Sequence, residues 1–141
     1  METNRLKEVE RLKNFMQFIK EKMKRNNISQ NKLANKLETN PNSISNWLRV
    51  ECECRLTNFL KICDGLNINF LLDDTVYQNL DSIMKFVYKQ MRRQGISCYR
   101  LGLDIECGDT IINFWINQKK SPTMVNFLYA CSVLGIKVSI E

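Results

Sequence analysis

The chain has 141 residues, a formal net charge of +6, six cysteines and no histidine. The absence of imidazole excludes catalytic triads and general bases that need histidine, and a zinc site would need four thiolates. The sequence also lacks a glycine-rich phosphate loop and an activated nucleophile, so we expect neither an enzyme nor a cofactor or bound metal. Since no hydrophobic run is long enough to span a bilayer and no secretion signal is apparent, we expect a cytoplasmic protein.

The first predicted element is a long amphipathic helix over residues 6–23, where apolar side chains recur every three or four positions. Asn26 and Asn27 can end this helix, because asparagine tolerates the left-handed backbone of a helix stop. Ser29 is then placed to cap a short second helix over residues 30–37. The spacing therefore predicts two helices joined by a brief loop.

A three-residue turn over residues 38–40 precedes the third predicted helix. Asn40 can cap this helix, and Pro41 can occupy its first position, where the missing N–H costs nothing. The apolar residues Ile44, Trp47 and Leu48 are expected to be buried. The outward-facing residues are Asn42, Ser43, Ser45, Asn46 and Arg49.

The spacing of apolar residues predicts a fourth helix over residues 56–66, and residues 68–71 are expected to close the core. The following segment, residues 67–78, is short and partly apolar, so we expect a rigid connection to the second half of the chain. Asp73, Asp74 or Thr75 is expected to cap the next helix. The apolar face of that helix consists of Leu80, Ile83, Met84, Val87 and Met91.

A shift of 68 residues aligns the second half of the chain with the first without a gap. The matched pairs include Phe18 with Phe86, Ala34 with Gly102, Trp47 with Trp115, Leu60 with Leu128 and Cys63 with Cys131. The matched cysteines are interpreted as core thiols. Matching apolar positions indicate duplication of one core, and we predict two domains over residues 1–72 and 73–141, each large enough for a minimal helical core.

The stretch ISQNKLANKLETNPNSISNWLR, followed by RLTNFLKICDGLNINFLL, resembles the helix-turn-helix family of phage repressors and Cro proteins, also called the XRE type. The resemblance covers about residues 12–72, and the repeat extends it to about 80–140. It implies an all-α fold of two tandem lambda-repressor-like domains with about five helices each. Glu38 and Glu106 stand where the family usually has a glycine with positive φ, so either the turn is rebuilt or each glutamate accepts backbone strain.

The resemblance implies a sequence-specific, repressor-like transcriptional regulator of phage or mobile-element type, acting in a bacterial cell or phage-infected host and reading the major groove with its third helix. Residues 1–71 carry 13 Lys and Arg against 8 Asp and Glu, whereas residues 72–141 carry 8 against 7. We therefore expect the first repeat to bind double-stranded DNA, at an A·T-containing site because asparagine can bond adenine N6 and N7 together. The candidate DNA-binding residues are Lys24, Arg25, Gln30, Lys32, Lys36, Asn42, Ser43, Ser45, Asn46 and Arg49.

One such module reads about half of a usual operator, so we expect either a homodimer or a second module on the same DNA. In the second repeat, Cys98 replaces Gln30, Asp109 replaces Pro41, Ile111 replaces Ser43 and Phe114 replaces Asn46. Ile111 and Phe114 are interpreted as an exposed contact surface for another subunit, a protein partner or the first repeat. A second DNA reader would instead use Thr110, Asn113, Asn117, Lys119 and Lys120.

The alternative function is a protein-binding module that has kept the fold and lost DNA binding. A phage-borne inhibitor of a host defence protein or of another repressor would need an apolar surface of this kind. A hybrid of the two functions would regulate its own promoter through the first repeat and bind a target protein through the second.

Overall fold

The computed structural model describes residues 2–141, and this part of the chain is mostly helical with a small three-stranded sheet. No helix in it combines the length and apolarity needed to cross a bilayer. The elements are α1 (Glu2–Arg25), α2 (Gln30–Leu37), α3 (Pro41–Leu48), α4 (Leu56–Gly65), β1 (Phe70–Leu72), β2 (Thr75–Val76), α5 (Leu80–Gln94), α6 (Cys98–Asp104), α7 (Ile111–Ile116), α8 (Met124–Leu134) and β3 (Val138–Ile140).

The expected count of about five helices per repeat is wrong, because the described residues form four helices in each. After its fourth helix, each repeat continues into a three-residue strand and not a fifth helix: the fully buried β1 in the first repeat and the partly buried β3 in the second. A short apolar run of this kind has no helical period, and the pairing of the two strands decides its conformation.

The interval of 68 residues recurs in the backbone. Helices α2 and α6 begin at residues 30 and 98, and strands β1 and β3 span residues 70–72 and 138–140. Residues with positive φ recur at the same interval, as Asn27 with Gly95, Glu38 with Glu106, Val50 with Gln118 and Asn67 with Gly135. Glu38 and Glu106 have φ angles of 57° and 61°, so both glutamates adopt the left-handed conformation at a cost on the order of 1 kcal/mol each.

The two repeats meet about an approximate two-fold axis. Strands β1 and β3 pair antiparallel, with Phe70 opposite Ile140 and Leu72 opposite Val138. Arg55 pairs with Thr123, its own counterpart 68 residues later. The N–H of Leu56 donates to the Pro122 carbonyl and the N–H of Met124 to the Cys54 carbonyl, both at 2.8 Å. Exchanging the repeats maps each of these contacts onto itself or another, as an isologous interface requires.

One hydrophobic core runs through both repeats. Phe59 lies 6.0 Å from Phe70, and Phe70 lies 6.3 Å from Phe127, measured between ring centroids. Phe59 and Phe127 are equivalent residues of the two repeats, so the aromatic contacts cross the two-fold axis. Residues 67–72 thus belong to the shared core, in agreement with the rigid connection expected from their composition.

The N-terminal part of α1 breaks this symmetry. Residues 2–11 are helical, whereas their counterparts in the second repeat, residues 70–79, include β1 and β2. The Arg5 guanidinium donates to the Asn126 side chain at 2.6 Å, and Ser132 Oγ donates to Glu8 at 2.6 Å. Arg11 donates to the Val138 carbonyl at 3.3 Å, the position equivalent to the Phe70 carbonyl that accepts the N–H of Tyr77. A side chain of α1 therefore bonds the edge of β3 at the position where the backbone just after β2 bonds the edge of β1.

The expected cap of the second repeat's first helix is wrong. Asp73 and Asp74 form the turn between β1 and β2, with φ angles of 49° and 67°. Two consecutive residues of positive φ match the twist of a tight hairpin, and aspartate tolerates that conformation. The cap is Asn79, whose side chain accepts from the Ser82 N–H at 2.9 Å.

Candidate nucleic-acid interface

Side-chain capping bonds fix the first turns of both α2 and α3. Ser29 Oγ accepts from the Lys32 N–H at 3.1 Å, and Asn40 Oδ1 accepts from the Ser43 N–H at 2.8 Å. Between them, the left-handed Glu38 ends α2, and the Thr39 N–H donates to the Ala34 carbonyl at 2.9 Å. These bonds satisfy backbone groups that helix termini leave unpaired, and those of Glu38, Thr39 and Asn40 fix the turn between α2 and α3.

Helix α3 buries Ile44 and Leu48 and leaves a polar surface outside. Trp47 is only half-buried, contrary to the expectation of full burial. Asn42 and Arg49 are exposed at the two ends of the surface, whereas Ser43, Ser45 and Asn46 are half-buried. Since α3 packs against both α1 and α2, its remaining exposed face carries amide, hydroxyl and guanidinium groups.

The Asn46 side chain is engaged with its neighbour. Arg49 Nη2 donates to Asn46 Oδ1 at 3.3 Å and lies 3.4 Å from a carboxylate oxygen of Glu51. An asparagine that reads adenine uses its oxygen and its NH₂ together, so Asn46 would have to release Arg49 first. Both contacts are long and exposed, and such pairs contribute well under 1 kcal/mol. Asn42, exposed in the first turn of α3, is the more accessible amide.

The expected phosphate-binding cations divide into two groups. Lys24, Arg25 and Lys32 are exposed at the end of α1 and in the first turn of α2. Lys36 is different, because its Nζ donates to the Gly65 carbonyl at 2.8 Å and thereby holds the end of α4. That bond assigns Lys36 a structural role in the free protein.

In the second repeat, the helix equivalent to α3 is α7, and its N-terminal end differs from that of α3. Gly108 occupies the position of Asn40 and has no side chain with which to cap α7. Helix α7 accordingly starts at Ile111, two residues later than the 68-residue register would place it, and Asp109 lies outside the helix. Phe114 is 36% exposed, whereas Ile111 is half-buried against the core. The expectation that Ile111 is exposed is therefore only partly met.

Two further substitutions were missed by the sequence interpretation. Tyr99 is 58% exposed and Leu103 is 46% exposed, both on α6. Their counterparts on α2 are the exposed asparagines Asn31 and Asn35. The same 68-residue comparison that identified Phe114 contained this signal. Together with Phe114, these residues replace three amides of the first repeat by three large apolar side chains.

Three of the six cysteines belong to the core rather than to this surface. Cys54, Cys63 and Cys131 are buried, and Cys52 is exposed. Burial raises the pKa of the Cys54 thiol to about 12, and burial with a smaller effect of Cys54 raises the pKa of Cys63 to about 12. Burial also raises the pKa of Cys131. Protonated, buried thiols of this kind are unreactive near neutral pH.

Neither a protein family, nor a curated protein, nor a solved structure matches this chain.

Proposed function

We propose that the protein is a sequence-specific, double-stranded DNA-binding regulator that reads the major groove with α3. The observation that carries this proposal is the polar outer face of α3, which begins at a side-chain-capped turn and is buried on its other side. A helix that enters the major groove needs a rigid mounting and outward groups that match base edges. The resemblance of residues 12–72 to phage repressors and Cro proteins supports the same function.

Asn42 is assigned the main reading role because its amide is exposed in the first turn of α3. The N-terminal residues of a recognition helix are the ones that approach base edges. Asn46 reads second, after Arg49 exchanges its bond with the asparagine for a DNA phosphate. An A·T-containing site is the expected target, because a single amide can bond adenine N6 and N7.

Phosphate contacts are assigned to Lys24, Arg25 and Lys32, with Gln30 at the start of α2 beside them. Each cation that neutralises a phosphate releases a counterion and makes binding more sensitive to salt. Lys36 is left out of this group because its bond to the Gly65 carbonyl would have to break. Repression or activation follows from where the site lies, and occupation of an operator is the simplest mode.

The second repeat is a poor DNA reader. Phe114 stands where Asn46 offers an amide, and Ile111 stands where Ser43 offers a hydroxyl. Neither apolar side chain can satisfy a base-edge donor or acceptor, and Asp109 would repel phosphate. This contrast favours a protein-binding role for the second repeat.

A protein-binding module, such as an inhibitor of a host defence protein or of another repressor, is the second candidate function. The observation that favours it is the exposure of Tyr99, Leu103 and Phe114 on α6 and α7. Tyr99 and Leu103 are four residues apart and therefore lie on one face of α6, and neighbouring exposed apolar side chains mark interaction sites. The two functions are compatible, since they use different repeats.

Selection of duplexes from a random pool, followed by salt titration of the selected sites, tests the proposal. We expect an enriched A·T-containing site and binding that weakens steeply with salt. Replacing Asn42 and Asn46 with alanine should reduce affinity by about 10- to 100-fold at that site, since a base contact contributes on the order of 1–3 kcal/mol.

The matched control replaces Thr110, the second-repeat equivalent of Asn42, with alanine and should leave affinity at the selected site unchanged. Equal affinity of the Asn42/Asn46 variant and the parent protein would contradict the assignment of α3. Absence of any enriched site would contradict DNA reading altogether and leave the protein-binding function as the better candidate.

A further inference from the structure

Helix α7 has charges of opposite sign at its two ends. Glu106 and Asp109 are exposed just before it, and Lys119 and Lys120 are exposed just after it. Between them, the side chain of Phe114 is partly exposed. The surface around α7 is thus acidic at one end, apolar in the middle and basic at the other end.

The equivalent surface of the first repeat lacks this pattern. Glu38 corresponds to Glu106, and Glu51 corresponds to Lys119, so α3 has an acidic residue beyond each end. Glu51 is moreover paired with Arg49 at 3.4 Å. The opposed charges are therefore particular to the second repeat and do not follow from the shared fold.

We infer that α7 is the contact surface for a second copy of this chain, packed antiparallel to the first about a two-fold axis. In such an isologous contact, Glu106 and Asp109 of each copy meet Lys119 and Lys120 of the other, and the two Phe114 rings pack near the axis. Each of these four charges then faces its opposite. A parallel arrangement, or the same arrangement of two α3 helices, would bring like charges together.

Lys120 supports the placement of Phe114 at the centre of the contact. Its Nζ lies 5.8 Å from the centroid of the Phe114 ring. The cation therefore borders the apolar side chain directly, as a polar rim borders the apolar centre of an interface. The other side of the second repeat is already covered, because β3 and α8 contact the first repeat.

The association would leave both α3 helices uncovered. Each chain contains one polar α3 surface, so two chains joined through their α7 surfaces would present two. The inference itself does not depend on DNA binding, and the experiment that tests it contains no DNA.

Sedimentation equilibrium over a wide concentration range tests the inference with charge-reversal variants. One variant carries Lys119→Glu and Lys120→Glu, and the other carries Glu106→Lys and Asp109→Lys. We expect the parent protein to form dimers that weaken as salt rises, and each variant alone to dimerise about tenfold more weakly or worse. An equimolar mixture of the two variants should restore association, because the acidic ends of one then meet the basic ends of the other.

The matched control reverses charges at α3, with Glu38→Lys and Glu51→Lys, and should leave the dimer unchanged. Circular dichroism and thermal unfolding of every variant separate loss of association from loss of folding, since the α7 charges also complement the dipole of their own helix. A parent protein that stays monomeric at all concentrations would overturn the inference. So would dimers that survive each reversal, or a mixture that associates no better than its components.

Discussion

The two repeats share a backbone and differ in what they present to solvent. Four pairs of residues with positive φ recur at the interval of 68, and strands β1 and β3 occupy equivalent positions. Three asparagines of the first repeat have large apolar residues as their equivalents in the second: Tyr99 for Asn31, Leu103 for Asn35 and Phe114 for Asn46. Buried positions constrain the fold, whereas exposed positions vary without disturbing it, so the two repeats can share one fold and have chemically different surfaces.

The two repeats are similar in structure, but they do not have separate cores. The repeats have equivalent helices, yet Phe59 of the first and Phe127 of the second both pack against Phe70. Two domains of about 70 residues would each bury a modest core, and sharing one core increases the apolar surface removed from water.

The largest expected loss of stability comes from two alanine variants in the shared core, which also test whether the repeats unfold together. Phe59→Ala and Phe127→Ala should each lower the free energy of unfolding by about 3–5 kcal/mol, because each removes a buried aromatic ring and leaves a cavity. Each repeat contains one tryptophan, Trp47 or Trp115, so single-tryptophan variants report on the repeats separately during urea denaturation. We expect coincident transitions in both reporters for either alanine variant. Separate transitions would mean that the repeats fold as independent domains.

A smaller change in stability should distinguish the α6–α7 turn of the second repeat from the equivalent α2–α3 turn of the first. A Cβ atom on Gly102 would lie 2.0 Å from the Gly108 carbonyl oxygen, whereas Ala34 carries its methyl group at the equivalent position. Gly102→Ala is therefore expected to cost about 3 kcal/mol, although glycine to alanine within a helix ordinarily stabilises. The matched change, Ala34→Gly, should cost about 1 kcal/mol through helix propensity. Urea denaturation measures both, and a Gly102→Ala variant as stable as the parent would show that the turn at Gly108 moves readily.

The smallest effect concerns the buried thiols. Cys63 remains protonated in the folded protein until its pKa of about 12, whereas in the unfolded chain it ionises near the ordinary pKa of 9.0. The unfolded state thus binds fewer protons above pH 9.0, and the stability that Cys63 contributes is full below that pH and falls as pH rises toward about 12. The expected slope is about 1.4 kcal/mol per pH unit for each such thiol.

Denaturation in reducing buffer at pH 8 to 11 measures this slope, and Cys63→Ala should reduce it by the share of one thiol. Cys52→Ala, which removes an exposed thiol, is the control and should leave the slope unchanged. Equal slopes in the two variants would contradict the assignment of Cys63 as a protonated core thiol.

Local chemistry made much of the helical fold predictable. The serine at position 29 and the asparagine at position 40 cap the helices that follow them, and Pro41 begins α3 as expected. The need for a small residue at Gly102 was likewise readable from its match with Ala34. For the candidate interface, the polar character of the α3 face was predictable, but the bond from Lys36 to the Gly65 carbonyl was not, since 29 residues separate the two.

By itself, the sequence determined the four helices of the first repeat with the caps of α2 and α3, the interval between the repeats and most of the apolar core positions. These features depend on contacts within a few residues or on periodicity, so they can be read along the chain. The tertiary structure alone decided that residues 70–72 pair with residues 138–140 about an approximate two-fold axis, and that the first turns of α1 cross to α8. Such contacts join residues that are far apart in sequence, and only folding determines which of them meet.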